Sequence, residues 1–310
     1  GSRLTLQAVD ATNITFNYSN GLVVMLVVIC SQIILAKSLF KCIDGLLMGA
    51  GDAVIGVNPA VDSIDSVSAI LKSIDHVITS LNIPTQGCCL AHITTQLAAM
   101  KNNAPVDLLF QSIGGTQKTN ESFGISLALL NEGKEQVLEH HTSRNVNWVG
   151  NQAMYFETGQ GADFTNGHGQ SMDMVLHESR KYGLARFLSL RIAAANGRRP
   201  WLHVNDVAGF IGPEVFRNRD QLVRCCLEDL VMGKLHGLCI GLDVCSTLHM
   251  DVSLDDLDYC LERVAPANPA YLMALPTKID PMLGYLTTGF QDHVRLRRKF
   301  DFKIRNTPDF

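Results

Sequence analysis

A short apolar stretch followed by a segment with helical period recurs about eight times along this 310-residue chain, and few folds accommodate that rhythm. Val23 to Cys30 is apolar on both alternations, as a parallel strand buried on both faces should be. Ser31 to Met48 then reads as a helix stopped by Gly49-Ala50-Gly51. In the next unit Ala53 to Val57 is a strand ending at Asn58-Pro59. Ser63 to Leu81 follows as a helix with Ile64, Val67, Ile70, Leu71, Ile74, Val77 and Ile78 at helical spacing. Further strands are predicted over Pro84 to Ala91, Val106 to Ile113, Ala153 to Phe156, Val204 to Ile211, Leu235 to Leu242 and Ala270 to Leu275. The helices between and after them are predicted over Thr94 to Lys101, Asn120 to His141, Met172 to Phe187, Gln221 to Met232, Leu254 to Val264 and Leu283 to His293. Strand–helix alternation implies a parallel sheet covered by helices. A count near eight in a chain of this size favours a closed (β/α)8 barrel of the TIM type over an open doubly wound sheet. No Gly-x-Gly-x-x-Gly turn follows the first strand, which weakens a dinucleotide-binding alternative. Residues 1–37 are expected to be an irregular or divergent segment with an atypical first strand, 38–293 the barrel and 294–310 a tail.

Composition narrows the function classes. Hydrophobic residues make up 46% and charged residues 18%, enough for a large core and unlike a disordered chain. A net charge of -4 gives no electrostatic footprint for nucleic acid. The apolar run Leu22 to Cys30 is interrupted by Ser31 and Gln32, short of the ~20 residues a membrane span needs. A buried strand is expected there and no membrane partner. The nine cysteines are odd in number and form no Cys-x-x-Cys pair, which predicts reduced, buried thiols in a cytoplasmic protein.

In a barrel, the carboxyl ends of the strands converge on one mouth, where the chemistry resides. Here those ends carry Asn58, His92, Gln111, Glu157, Glu214 and Asp243. The stretch Tyr155-Phe156-Glu157-Thr158-Gly159-Gln160-Gly161 sets a carboxylate after a buried strand and before two glycines. Each of these residues, taken alone, reads equally well as a loop acid, a cap or a satisfied amide. Gathered at one mouth they suit a small, polar, cationic substrate. No Gly-x-x-x-x-Gly-Lys phosphate loop and no metal-ligand spacing occur, and His140-His141 is predicted to lie on a solvated helix face.

The motifs GDAVIGVNP (51–59), IPTQGC (83–88), LAH (90–92), FQSI (110–113), YFETGQG (155–161), YGLAR (182–186), GFIGPE (209–214) and MGKL (232–235) are collinear and together specific. With them the chain resembles the large subunit of ethanolamine ammonia-lyase from about Ser38 to Phe290. The resemblance implies a (β/α)8 barrel and adenosylcobalamin-dependent radical deamination of ethanolamine to acetaldehyde and ammonia. It also implies a cofactor cleft shared with a small subunit, and a homo-oligomer of large subunits. By position, Glu157 resembles the acid that contacts the substrate hydroxyl and assists group migration, and Asp243 the carboxylate that pairs with the ammonium. Asn58 resembles a ligand of the hydroxyl, and Arg3 a remnant of a substrate-binding arginine loop. Gln111, Thr165 and Met282 resemble cofactor contacts, while Phe123 and Phe210 line the space between cofactor and substrate. The chain departs from the family in several places. Thr5 stands where a glutamine is usual, and Ser122 where a glutamate is usual. The stretch from Leu6 to Ala36 has no counterpart, and the family's long N-terminal domain is absent. These departures motivate an alternative, an inactive binding or assembly subunit. A cofactor-free barrel lyase is a third reading, for which no Schiff-base lysine is evident.

Overall fold

The computed structural model describes residues 24–30, 35–51, 54–144, 152–162, 166–196, 202–209, 214, 216–280 and 284–302, with the backbone alone at 24–30, 35–39 and 193–196. Eight parallel strands form one sheet: β1 (Val24–Cys30), β2 (Val54–Pro59), β3 (Gln86–Cys89), β4 (Leu109–Ser112), β5 (Met154–Thr158), β6 (Leu202–Val207), β7 (Cys239–Asp243) and β9 (Leu272–Ala274). Their order is β3-β2-β1-β9-β7-β6-β5-β4. A parallel bridge between Cys88 and Leu108, with the Leu108 N–H donating to Gly87 O, joins the two outer strands and closes the ring. The architecture is the (β/α)8 barrel. The apolar run before Ser31 forms β1, paired through Leu26–Ile55 and Val28–Val57 on one side and Val24–Leu272 on the other. Among the described residues, no helix is long and apolar enough to cross a membrane.

Around the ring lie α1 (Leu35–Leu47), α2 (Ile64–Ser80), α3 (Ile93–Lys101), α4 (Gln117–Ser122), α5 (Leu127–Arg144), α6 (Met174–Asn196), α7 (Arg219–Leu235), α8 (Leu254–Val264) and α9 (Phe290–Phe300). Local chemistry sets their starts. Ser63 accepts from the Ser66 N–H ahead of α2, and Ser253 and Asp256 form a reciprocal capping box at α8. On α2 the residues Val67, Ile70, Leu71, Ile74, Val77 and Ile78 are buried against the sheet as the period predicted, whereas Ile64, at the first helical position, is exposed.

The boundaries differ from expectation in four places. The helix expected over Asn120 to His141 is broken into α4 and α5 at Gly124, whose φ of +71° is the left-handed conformation that ends helices. The helix after β5 runs on to Asn196. The strand expected over Val204 to Ile211 sits earlier, at β6, and Ala208-Gly209 turns away from it. The helix expected from Leu283 begins only at Phe290. Ahead of it, β10 (Ile279–Asp280), β11 (Tyr285–Leu286) and β8 (Ser246–Thr247) form a small antiparallel sheet that the sequence did not announce. His140 and His141 do not lie on a solvated face. They bond to the Val106 N–H and the Asp107 carbonyl in the loop before β4.

Two apolar layers result. The larger, between ring and helices, takes Ile55, Leu109, Phe156, Val204, Ile240 and Leu272 from the strands. The smaller fills the lumen with Val54, Cys88, Leu108, Phe110, Tyr155, Cys239 and Tyr271. Alternation along each strand therefore assigns every second residue to the lumen. The cysteines with described side chains are reduced and buried.

Candidate active site

The lumen is plugged from below by aromatic rings. Phe110 and Tyr155 lie 5.5 Å apart between ring centres, Tyr155 and His203 6.2 Å, and His203 and Tyr271 5.2 Å. Gly241 makes this packing possible, since a Cβ there would sit 2.1 Å from the Tyr271 ring. Burial holds His203 near pKa 3, so the plug is neutral. Polar groups in the lumen start one layer above it.

Glu157 follows Tyr155 by two residues on β5 and therefore shares its lumen face. The Tyr155 hydroxyl donates to Glu157 Oε1 at 2.9 Å. Burial pushes the Glu157 pKa up to about 8; the Tyr155 bond opposes the shift and the Asp243 charge adds to it. Asp243 ends β7 and is fully buried. Thr287 donates to its Oδ1 at 2.5 Å and Tyr285 to its Oδ2 at 3.0 Å. Its pKa is raised to about 6, again chiefly by burial, with the two hydroxyls pulling it down. Among the described residues, no lysine or arginine pairs with either acid. Two carboxyls, the charge of one raising the pKa of the other, thus lie buried with neutral donors among the described residues, an arrangement suited to a cationic ligand. Asn58, at the end of β2, has the lumen parity of Val54 and is half-buried.

Glu157 also lines a cavity of about 340 Å³ over the ends of β2 to β5. Its walls are largely apolar, from Leu90, Phe110, Ile113, Phe123 and Ala162, with Asp62, His92, Gln111 and Ser112 as polar members. His92 is a clamp. Its Nδ1 accepts from the Thr94 N–H at the start of α3, which leaves Nε2–H to donate to the Phe123 carbonyl at 2.9 Å. Phe123 is held over the cavity in this way. Gln111 faces the helix layer rather than the lumen; its Oε1 accepts from the Ile93 N–H and its Nε2 donates to Ser112 O. One amide N–H of Gln111 remains for a cavity ligand. Ser122 donates back to the Thr119 carbonyl. Arg3, Thr165, Phe210 and Met282 lie outside the described residues. Glu214 is not at a strand end. It is buried and accepts from the Thr247 N–H and hydroxyl, tying the loop after β6 to the small sheet.

Four residues here were not singled out from the sequence. Tyr155, Tyr285 and Thr287 hold the acids, and Asn205, on β6 level with Glu157, shares the lumen. Tyr155 was recoverable from its i, i+2 relation to Glu157. Tyr285 and Thr287 arrive through the small sheet, which has no periodic signal. A second buried acid group, Glu178, Asp206 and Asp229, lies behind β6 against α6 and α7, with their carboxylate oxygens within 4.8 Å. Lys181 bonds Glu178 and the Gly159 carbonyl there. Burial raises Asp206 to about 7, with the Glu178 charge adding to the shift and a hydrogen bond with Asp229 opposing it; burial lifts Asp229 as well, with repulsion from Asp206 and Glu178 adding.

Comparisons with known proteins bear on the family and the fold. The family profile described as ethanolamine ammonia lyase large subunit (EutB) matches residues 35–310. The ethanolamine ammonia-lyase large subunits of Salmonella typhimurium and Escherichia coli are each 41% identical to the chain over 267 residues, covering 86% of it and 55% of their own length. The chain therefore spans about half the length of these relatives. In fold it is similar to a phospho-2-dehydro-3-deoxyheptonate aldolase (DAHP synthase) from Thermotoga maritima, with a TM-score of 0.52 and 12% identity over 91% of this chain and 69% of that one.

Proposed function

The chain belongs to the ethanolamine ammonia-lyase large-subunit family, and on that premise we propose that its barrel mouth binds ethanolamine and, with adenosylcobalamin, deaminates it to acetaldehyde and ammonia. The observation that carries this reading is the pair Glu157 and Asp243, buried with hydroxyl donors and, among the described residues, with no lysine or arginine paired to them. A small ammonium supplies the missing charge, and charge-assisted hydrogen bonds from it hold both acids ionised. Asp243 is the ammonium partner in this reading, because its two oxygens are already fixed in orientation by Tyr285 and Thr287. Glu157, whose carboxyl holds its proton up to about pH 8 in the ligand-free site, is placed to exchange a proton with the substrate as the amine departs. Asn58 binds the hydroxyl. Arg3 adds to that contact.

The cavity beside Glu157 fits a flat, nucleoside-sized group: it is largely apolar, has few polar members and reaches Glu157, though not Asp243, in its wall. Phe123 and Gln111 line it and would hold the cofactor, with Thr165, Met282 and Phe210 as further contacts. When bound, adenosylcobalamin supplies the homolysis that removes a hydrogen atom from the substrate. The protein's share is to exclude water through Phe110, Phe123 and Leu90 and to hold the amino alcohol rigidly. The reaction is redox-neutral: ethanolammonium gives acetaldehyde and ammonium with no atom left over.

A small subunit completes the cofactor cleft in this proposal, and a homo-oligomer of large subunits is its context. The protein purified with the small subunit and supplied with adenosylcobalamin and ethanolamine is expected to release acetaldehyde. Background acetaldehyde from protein with demonstrably bound cofactor overturns the enzymatic reading and leaves a binding role.

A further inference from the structure

Asn205 is fully buried in the lumen, and neither Nδ2 nor Oδ1 has a protein hydrogen-bond partner. Its place is fixed by its own strand: His203 below it packs in the aromatic plug, and Val207 above it packs with Cys245 and Tyr285 at the mouth. Laterally it is in register with Glu157 on β5 and with Gly241 on β7. The neighbouring acids have donors of their own, since Glu157 Oε1 takes the Tyr155 hydroxyl and Asp243 takes Tyr285 and Thr287. Buried amides are almost always paired, so an amide with both ends open in a ligand-binding lumen points to a ligand.

We infer that Asn205 is a substrate-binding residue whose Nδ2 donates to the hydroxyl oxygen of a small cationic amino alcohol held between Glu157 and Asp243. This rests on the amine-site reading above and extends it to a residue that sets specificity. Ionised carboxylates accept and cannot donate, so they recognise the ammonium and not the lone pairs of the neighbouring hydroxyl. An amide N–H at the level of Glu157 adds a buried donor to those proposed for Asn58 and Arg3. The Oδ1 acceptor only adds to acceptors already present, so the donor is the atom that discriminates. A site built to hydrogen-bond a hydroxyl rejects analogues that lack it, because its own polar group is then left unpaired.

The test is calorimetric binding of ethanolamine and of ethylamine to the protein with its small subunit, as wild type, Asn205→Leu and Asp243→Asn. Asn205→Leu is expected to weaken ethanolamine binding about tenfold or more, while ethylamine binding changes far less. The melting temperature of the ligand-free Asn205→Leu protein should stay level or rise, since an unpaired buried amide has been removed. A purely structural asparagine would lower it. Asn205→Ala is read in the same way if the leucine variant does not fold. If Asp243→Asn weakens ethanolamine and neither Asn205 variant does, the amide is satisfied by water and this inference fails while the amine site stands. If wild type binds neither amine, or Asp243→Asn leaves both affinities unchanged, the amine site itself fails and Asn205 loses its role with it.

Discussion

Two groups of buried acids sit back to back across β6. In the lumen, Glu157 and Asp243 meet hydroxyl donors, with the Cys245 thiol a further neutral donor to Asp243. Behind the sheet, Glu178, Asp206 and Asp229 share their space with Lys181, fully buried and ion-paired to Glu178. Both groups face the same desolvation, and burial raises the acids of both. They differ in where the compensating charge comes from. The group between the helices carries its own cation on α6, so it belongs to the packing. Among the described residues the lumen group has none, which in the proposed reading leaves room for a cationic substrate. A missing counter-charge distinguishes a binding site from a structural ion pair more clearly than the number of acids does.

Substitutions on either side sharpen this contrast. The largest effect is expected for Glu157→Gln, which keeps the shape and removes the titrating proton. Turnover should fall about 10²–10⁴-fold, the usual weight of general acid–base catalysis, with little change in melting temperature. Acetaldehyde release near the wild-type rate from this variant would make the strand end structural. Lys181→Met should do the reverse. It strands Glu178 beside two other acids and is expected to cost about 3–5 kcal/mol in chemical denaturation. A marginal loss there would show that the acids behind β6 hold shared protons and do not need the lysine.

A smaller effect is expected from pH. The Glu157 carboxyl titrates near 8 when folded, above its unfolded value of 4.5, so the folded protein binds the proton more tightly. That contribution to stability is complete below the unfolded value and is lost as pH rises towards 8; Asp243 behaves likewise up to about 6. A bound ammonium reverses the preference by favouring the ionised acids. The rise in melting temperature produced by ethanolamine should therefore be larger at pH 8 than at pH 6. A shift that is flat across that window, or larger at the lower pH, would mean that no cation meets these carboxyls.

The ring of strands was legible because apolar runs such as Val54 to Val57 and Leu238 to Leu242 leave little choice about burial. Glu157 and Asp243 were legible because each ends such a run. Asn205 was not. Its strand reads Leu202-His203-Val204-Asn205-Asp206-Val207, with polar residues destined for both faces, whereas the apolar Val207 to Ile211 that follows looks more like a buried strand. The chain turns at Gly209, where a Cβ would stand 2.4 Å from the Cys245 carbonyl. A close approach across 36 residues leaves no periodic trace in a sequence. The same holds for Tyr285 and Thr287, which reach Asp243 through the pairing of three two-residue strands outside the ring.

That small antiparallel sheet has a bearing on how such a barrel diversifies. The acid at the end of β7 takes its acidity from a hairpin some forty positions further on, outside the ring. Grafting a different hairpin onto the same ring would retune the grip on an amine without altering any residue of the parallel strands. Divergence of amine preference among related barrels can therefore be sought in this appended ribbon as much as in the strand ends themselves.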